Sequence, residues 1–244
     1  MKVIIVSDFH LKYDEDLEAK ERKERIISFL SKLNRKVDIL ILNGDIFDLW
    51  YSWEKVIIKD YFSILKVLVN LIENGTKIKL VSGNHDFWFN GFLEKDLGIE
   101  IYNENLIENY NGLKTFVSHG DLFTTNDNRY KIFRFLIRKS FMKFLFKLIH
   151  PDLSLSIGKF LSRSSRNRRT IKRIKYKKES GLIQSAKRLL RDYDLVVMGH
   201  THEPKKVILE NGLYINSGDW IDHNSYVLIN NGKADLFEYN GEEI

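Results

Sequence analysis

"VDILILNGDIFD", residues 37–48, is an apolar run that stops in Asn-Gly-Asp. A short run rich in Ile and Leu, bounded by Asn and Gly, predicts a strand buried on both faces. The same form recurs along the chain. "KVIIV" leads into Ser7-Asp8-Phe9-His10, and "KIKLV" into Ser82-Gly83-Asn84-His85-Asp86. "LKTFV" leads into Ser118-His119-Gly120-Asp121, and "YDLVVM" into Gly199-His200-Thr201-His202. "GLYIN" leads into Ser217-Gly218-Asp219-Trp220. Between several of these runs, residues 15–34, 59–74 and 180–192 repeat apolar positions at helical spacing. Strands alternating with helices predict an α/β layered fold. The segment "SYVLINNGKADLFEYNG" predicts a hairpin turning at Asn231-Gly232.

In an open α/β sheet, ligands bind beyond the carboxyl ends of the strands. The polar endings lie there, and they hold five of the seven His in the chain. Asp8, His10, Asp45, Asn84, His119, His200 and His202 offer carboxylate, imidazole and amide oxygen. That donor mixture suits manganese, iron, zinc or cobalt. Seven candidate ligands are too many for one tetrahedral ion. They suit two ions that share a carboxylate and clamp a phosphoryl centre.

With 244 residues the chain can bury one good core. It has no Cys, which excludes disulfides and thiolate metal sites and fits a reducing compartment. Met1-Lys2 runs straight into the first apolar stretch, with no signal-peptide pattern. No run of 18 apolar residues is free of charge, so no transmembrane helix is expected.

The charge is uneven. Residues 128–178 hold 17 Lys or Arg and one acid, Asp152, a net of +16, which leaves the rest of the chain at −10. Such a block marks a surface for phosphate, nucleic acid or anionic lipid. We expect a single domain over 1–244 with a helical insertion at about 124–180. Residues 129–150, "RYKIFRFLIRKSFMKFLFKLIH", combine seven basic residues with five Phe and no acid. At helical spacing Leu136, Ile137, Phe141, Phe144, Leu145 and Leu148 form one face. Arg134, Arg138, Lys143 and Lys147 fall largely on another. A helix of this kind can sit at the headgroup boundary of an anionic leaflet.

The motifs "DFH", "GDIFD", "GNHD", "SHG" and "GHTH", in this order, resemble those of the calcineurin-like metallophosphoesterases. The resemblance spans residues 8–202 and implies mixed β sheets flanked by helices. It implies a first metal on Asp8, His10, Asp45 and His202, and a second on Asp45, Asn84, His119 and His200. It gives His85 to the substrate phosphate as a catalytic group, with Asp86 orienting it. It makes Asp48 a hydrogen-bond partner of a ligand. His150 and His223 match no motif.

"SHGDLFTTNDNRYKIFR" is similar, more narrowly, to the UDP-2,3-diacylglucosamine pyrophosphatases of lipid A synthesis. Thr125, Asp127, Tyr130, Phe133 and Arg134 match, while Asn126 and His85 depart from the pattern. That resemblance implies hydrolysis of the substrate to UMP and 2,3-diacylglucosamine 1-phosphate, with two divalent ions, manganese first. It implies a helical lid over the acyl chains, and substrate contacts from Asn84, His85, Asp127, Tyr130, Arg163, Ser165 and Lys172. It also implies a cytoplasmic enzyme attached peripherally to the anionic inner face of the inner membrane, with no obligate protein partner. The competing class is a phosphodiesterase or nuclease gripping a nucleic-acid backbone through the basic block. Its grip does not need so long a Phe- and Leu-rich face. A binding scaffold without catalysis is the third reading, and the full ligand set argues against it.

Overall fold

The computed structural model describes residues 1–14, 16–89, 91–124, 128–156 and 172–242. The run in 37–48 forms strand β2 (Ile39–Asn43), between β1 (Lys2–Val6) and β3 (Lys77–Val81), all three parallel. A short β4 (Glu100–Tyr102) extends this first sheet beside β3.

The second sheet is centred on β6 (Leu113–Ser118), β7 (Leu195–Met198) and β9 (Gly212–Asn216), again parallel. Antiparallel β5 (Asn105–Tyr110) and β8 (Lys205–Leu209) flank it. The chain then returns to the first sheet, where β10 (Ser225–Asn230) pairs with β1 and β11 (Lys233–Glu238) closes the edge. The β10–β11 hairpin turns at Asn231-Gly232, both left-handed, as that dipeptide predicts.

Burial on both faces is what stacks the layers. Val3, Ile5, Ile39 and Ile41 of the first sheet meet Val117, Leu195, Val197 and Ile215 of the second. The alternate residues Ile4, Val6, Leu40 and Leu42 face the other way. They pack on Phe29 and Leu30 of α1 (Leu17–Lys32) and Leu65 and Leu68 of α2 (Phe62–Glu73). On the far side, Phe116, Val196 and Tyr214 pack against Leu182 and Ala186 of α6 (Lys172–Leu189). The result is a helix–sheet–sheet–helix sandwich whose strands are buried on both faces, as period-2 side-chain alternation allows.

Residues 128–156 leave the sheets as α3 (Asn128–Ile137), α4 (Ser140–Leu148) and α5 (helical residues 151–156). The helix expected over 129–150 is broken. Lys139 is extended, with φ −64° and ψ 143°. The break lies where Arg138 turns to the carbonyls of Gly83 and Asn103. Arg134, expected on an outward basic face, is buried against Asp121. Phe135, Leu136, Phe141, Phe144 and Leu148 stay exposed. Phe146 instead packs on Tyr51, Trp53 and Trp88, at ring separations of 4.9–6.3 Å. No described helix is long and apolar enough to cross a membrane.

Candidate metal centre

Six parallel strands, three from each sheet, end side by side, and a polar residue follows each end. Asp8 follows β1, Asp45 follows β2 and Asn84 follows β3. His119 follows β6, His200 follows β7 and Asp219 follows β9.

The turns that aim these side chains are strained. Among the described residues, nine non-glycine residues have left-handed φ, and five of them are Asp8, His10, Asp45, His200 and His202. Such backbone persists where the surroundings over-determine it, and it clusters at functional sites. The glycines beside them allow close approach. A Cβ on Gly44 would lie 2.7 Å from the His119 ring, and one on Gly83 would lie 2.2 Å from Asp45 Oδ1.

The donors fall into two groups joined by one carboxylate. In the first, Asp8 Oδ1 lies 3.2 Å from His202 Nε2 and 3.7 Å from His10 Nε2. In the second, Asn84 Oδ1 lies 3.1 Å from His119 Nε2 and 2.8 Å from His200 Nδ1. Asp45 Oδ2 touches both groups, 3.8 Å from His10 Nε2 and 3.4 Å from His119 Nε2. All seven expected ligands therefore meet at one place.

The far sides of the His10, His202 and His119 rings are held. Asp48 Oδ1 lies 3.0 Å from His10 Nδ1, and Asp219 Oδ2 lies 2.8 Å from His202 Nδ1. The carbonyl of Asn43 lies 3.1 Å from His119 Nδ1. A carboxylate or carbonyl on Nδ1–H leaves the Nε2 lone pair facing the centre. Asp219 is the residue that sequence reading passed over. It also meets His223 at 3.1 Å, which ties that histidine to the site's periphery.

His85 and Asp86 do not form the expected pair. The His85 ring faces the centre, 4.0 Å from Asp45 Oδ2, and its Nδ1 lies 3.3 Å from the carbonyl of Asp48. The Asp86 carboxylate turns inward and accepts the backbone N–H groups of Gly83, Asp45, Ile46 and Phe47 at 2.7–3.1 Å. Its role is to build the loops that carry Asp45 and Asn84.

The electrostatics fit cations. Burial alone would raise Asp45, yet the imidazoles of His119, His85 and His10 outweigh it and hold the carboxyl far below its usual range. Asp8 is held low in the same way, burial being overcome chiefly by His202 and His10. Burial pulls His119 down, but Asp45 drives it up to about 10. Burial, with neighbouring imidazoles adding to it, takes His85 to about 4 and His200 to about 3. Burial and the charge of Asp45 raise Asp86 to about 7. Asp8 Oδ1 is buried with no hydrogen bond, and His10 Nε2 faces His202 Nε2 at 3.3 Å. Two ring nitrogens and a bare carboxylate oxygen converging in the dry interior call for positive charge. Divalent cations supply it, and His with carboxylate and amide oxygen is a donor set they accept.

A cavity of about 930 Å³ opens between α4 and the loops that follow β2 and β3. Tyr51, Trp53, Phe92 and Phe144 line it together with Lys143 and Lys147. Its two loop walls begin at Tyr51 and Phe89, three residues after Asp48 and four after His85 in the chain. Of the residues expected to bind substrate, Asp127, Arg163 and Ser165 lie outside the described residues, with Thr125 and Asn126. Tyr130, Phe133 and Lys172 belong to α3 and α6, of which only the backbone is described at those positions.

The calcineurin-like phosphoesterase profile matches residues 1–204. The UDP-2,3-diacylglucosamine hydrolase of Porphyromonas gingivalis is 24% identical over 93% of this chain and 93% of its own length. The enzyme of that name from Pseudomonas savastanoi is 27% identical over 93% of this chain and 90% of its own. Among solved structures, an archaeal phosphodiesterase superposes with a TM-score of 0.50 at 16% identity, covering 98% of this chain and all of that one. The strand-end donors, their paired arrangement and this match along most of the chain agree: the protein belongs to the calcineurin-like phosphoesterase family and is a metal-dependent hydrolase.

Proposed function

We propose that the protein hydrolyses the pyrophosphate bond of UDP-2,3-diacylglucosamine, releasing UMP and 2,3-diacylglucosamine 1-phosphate. The observation that carries this reading is the part-aromatic, lysine-bearing cavity lined by the loops that follow the β2 and β3 ends of the metal centre. A nucleotide sugar with two acyl chains needs both properties at once, an apolar surface for the chains and cationic groups for phosphate. The names of the matching relatives support the same substrate.

Asp8, His10, Asp45 and His202 would hold one divalent cation, and Asp45, Asn84, His119 and His200 a second, with manganese the expected metal. Bound there, the cations supply Lewis acidity and neutralise the charge of the diphosphate. The chain's own part is positioning. His85 faces the centre with Nδ1 held by the Asp48 carbonyl, and in its protonated form, which the negative charge of a bound diphosphate favours, it donates a hydrogen bond from Nε2 to a phosphate oxygen. Asp86 keeps the two loops in register. Asp127, Tyr130, Arg163, Ser165 and Lys172 would complete the contacts to the diphosphate and sugar.

The exposed Phe141, Phe144 and Leu148, with Lys139 and Lys147 among them, would meet the anionic cytoplasmic face of the inner membrane. Each basic residue near such a surface adds about 1 kcal/mol of attraction.

The test is hydrolysis of UDP-2,3-diacylglucosamine in oxygen-18 water. The expected result is metal-dependent release of UMP carrying the label, with little turnover of unacylated UDP-glucosamine. Equal turnover of both substrates, or label confined to the acyl-sugar phosphate, would contradict the proposal.

A further inference from the structure

The two donor groups are braced from different places. The first is held by core elements. Arg22 of α1 donates to the carbonyl of His10 at 3.0 Å, Asp48 and Asp219 hold the rings of His10 and His202, and the N–H of Asp8 donates to the carbonyl of Gly44.

The second group, Asn84, His119 and His200, shares such core braces, from the Asn43 carbonyl on His119 and from Asp86 and Asp8 on the loops of Asn84 and His200, but three more contacts reach its loops from α3 and α6. Arg138, at the end of α3, donates through Nη2 to the carbonyl of Gly83 at 2.6 Å and through Nη1 to that of Asn103 at 3.1 Å. Its guanidinium also lies over the ring of Phe87, 5.0 Å from the centroid. Gly83 and Phe87 bracket Asn84, His85 and Asp86, so one side chain grips both ends of that loop. Arg134, one turn earlier, lies 2.8 Å from Asp121, two residues beyond His119. Glu179, buried on α6, accepts from Thr201 Oγ1 at 2.5 Å and Asn216 Nδ2 at 2.9 Å. Thr201 sits between His200 and His202.

A planar guanidinium that bridges two carbonyls fixes orientation better than a point charge does. Partners of this kind set the position of metal ligands.

We propose that Arg138 is a positioning residue for the second cation subsite, and that with Arg134 and Glu179 it makes the insertion part of that subsite's framework. The inference rests on the two-cation reading of the centre. The second cation then binds tightly only while the insertion is docked.

The experiment titrates the metal-free full chain with Mn²⁺ and follows free Mn²⁺ by its electron paramagnetic resonance signal. The unaltered protein should bind two ions per chain. Arg138→Ala should keep the tighter site and weaken the other by about 10- to 100-fold. Arg138→Lys, which keeps the charge but loses the fork, should weaken it too. Lys139→Ala, next in the chain and exposed, should change neither site. Two unchanged sites in Arg138→Ala would overturn the proposal alone, and equal weakening of both would do the same. A single ion bound by the unaltered chain would overturn the two-cation reading with it. If Arg138→Ala does not fold, Arg134→Lys replaces it. It keeps the charge beside Asp121 but loses the guanidinium fork, and it must show the same selective loss at the second site.

Discussion

The two halves of the metal centre differ in what stands behind them. Asp8, His10 and Asp45 project from the first sheet, and their braces lie within the sandwich. Asn84, His119 and His200 meet each other as closely, yet Arg138, Arg134 and Glu179 reach their loops from the insertion and its return helix. Core groups brace both halves, Asn43 and Asp86 included, but among the described residues one half takes no contact from α3. The other half depends on a segment whose outer surface is greasy and basic. Such a division links chemistry to capture of the substrate, since α4, which lines the cavity, follows directly on the end of α3 that braces the ligands.

The largest effect should follow removal of the one donor common to both halves. Asp45→Ala is expected to lose metal from both subsites and to abolish turnover. Elemental analysis of the purified variant checks it. Retention of one full equivalent would show that Asp45 does not join the halves.

Asp86 and His85 give the next contrast, since they are neighbours with opposite duties. Asp86→Ala leaves several buried N–H groups without an acceptor, at roughly 1–3 kcal/mol each. It should lower stability by more than about 3 kcal/mol, read from denaturant unfolding of the metal-free protein. His85→Ala should fold normally and keep both metals, while its rate falls by about 10²- to 10⁴-fold. A His85→Ala protein that lost metal would place the ring among the ligands.

These expectations separate what a sequence can carry from what it cannot. The strand-end donors were legible because each follows an apolar run too short for anything but a buried strand, as in "LKTFV" before His119. The apolar repeat at 180–192 and the end of the helical insertion expected up to about 180 are one helix, α6, which begins at Lys172 in a lysine-rich stretch. The strand β5 was not read either, because Asn105 to Tyr110 alternates exposed and buried residues in a mostly polar stretch. The Asn111-Gly112 turn after it is left-handed at both residues, like the one at Asn231-Gly232.

Asp219 was passed over because no His or Asn accompanies it in "SGDW", and its partner His202 arrives from another strand. The pairing of Asp86 with His85 that the family resemblance implies is not the arrangement found, since Asp86 is taken up by four backbone N–H groups. The backbone instead turns the two side chains apart. Periodicity placed Arg134 and Arg138 outside, since a helical wheel cannot show a carboxylate or a carbonyl waiting in another loop.

The smallest structural effect is expected on the outer surface of the insertion. Phe141 and Phe144 are 66% and 55% exposed. Changing both to Ser should alter stability by no more than about 0.5 kcal/mol each. The double variant should retain its metals and its action on a small soluble aryl phosphodiester. It should lose most activity on the diacylated nucleotide sugar and most binding to anionic vesicles. Unchanged lipid turnover would remove these residues from the account. In that case a variant neutralising Lys139 and Lys147 that lost nucleic-acid turnover would favour a nuclease.

The most direct measurement is the low-temperature electron paramagnetic resonance spectrum of the full chain loaded with Mn²⁺. If Asp45 joins two subsites, two ions per chain should appear as a spin-coupled pair, and the coupling should vanish in Asp45→Ala. An uncoupled spectrum, or saturation at one ion per chain, would contradict the paired centre on which the account rests.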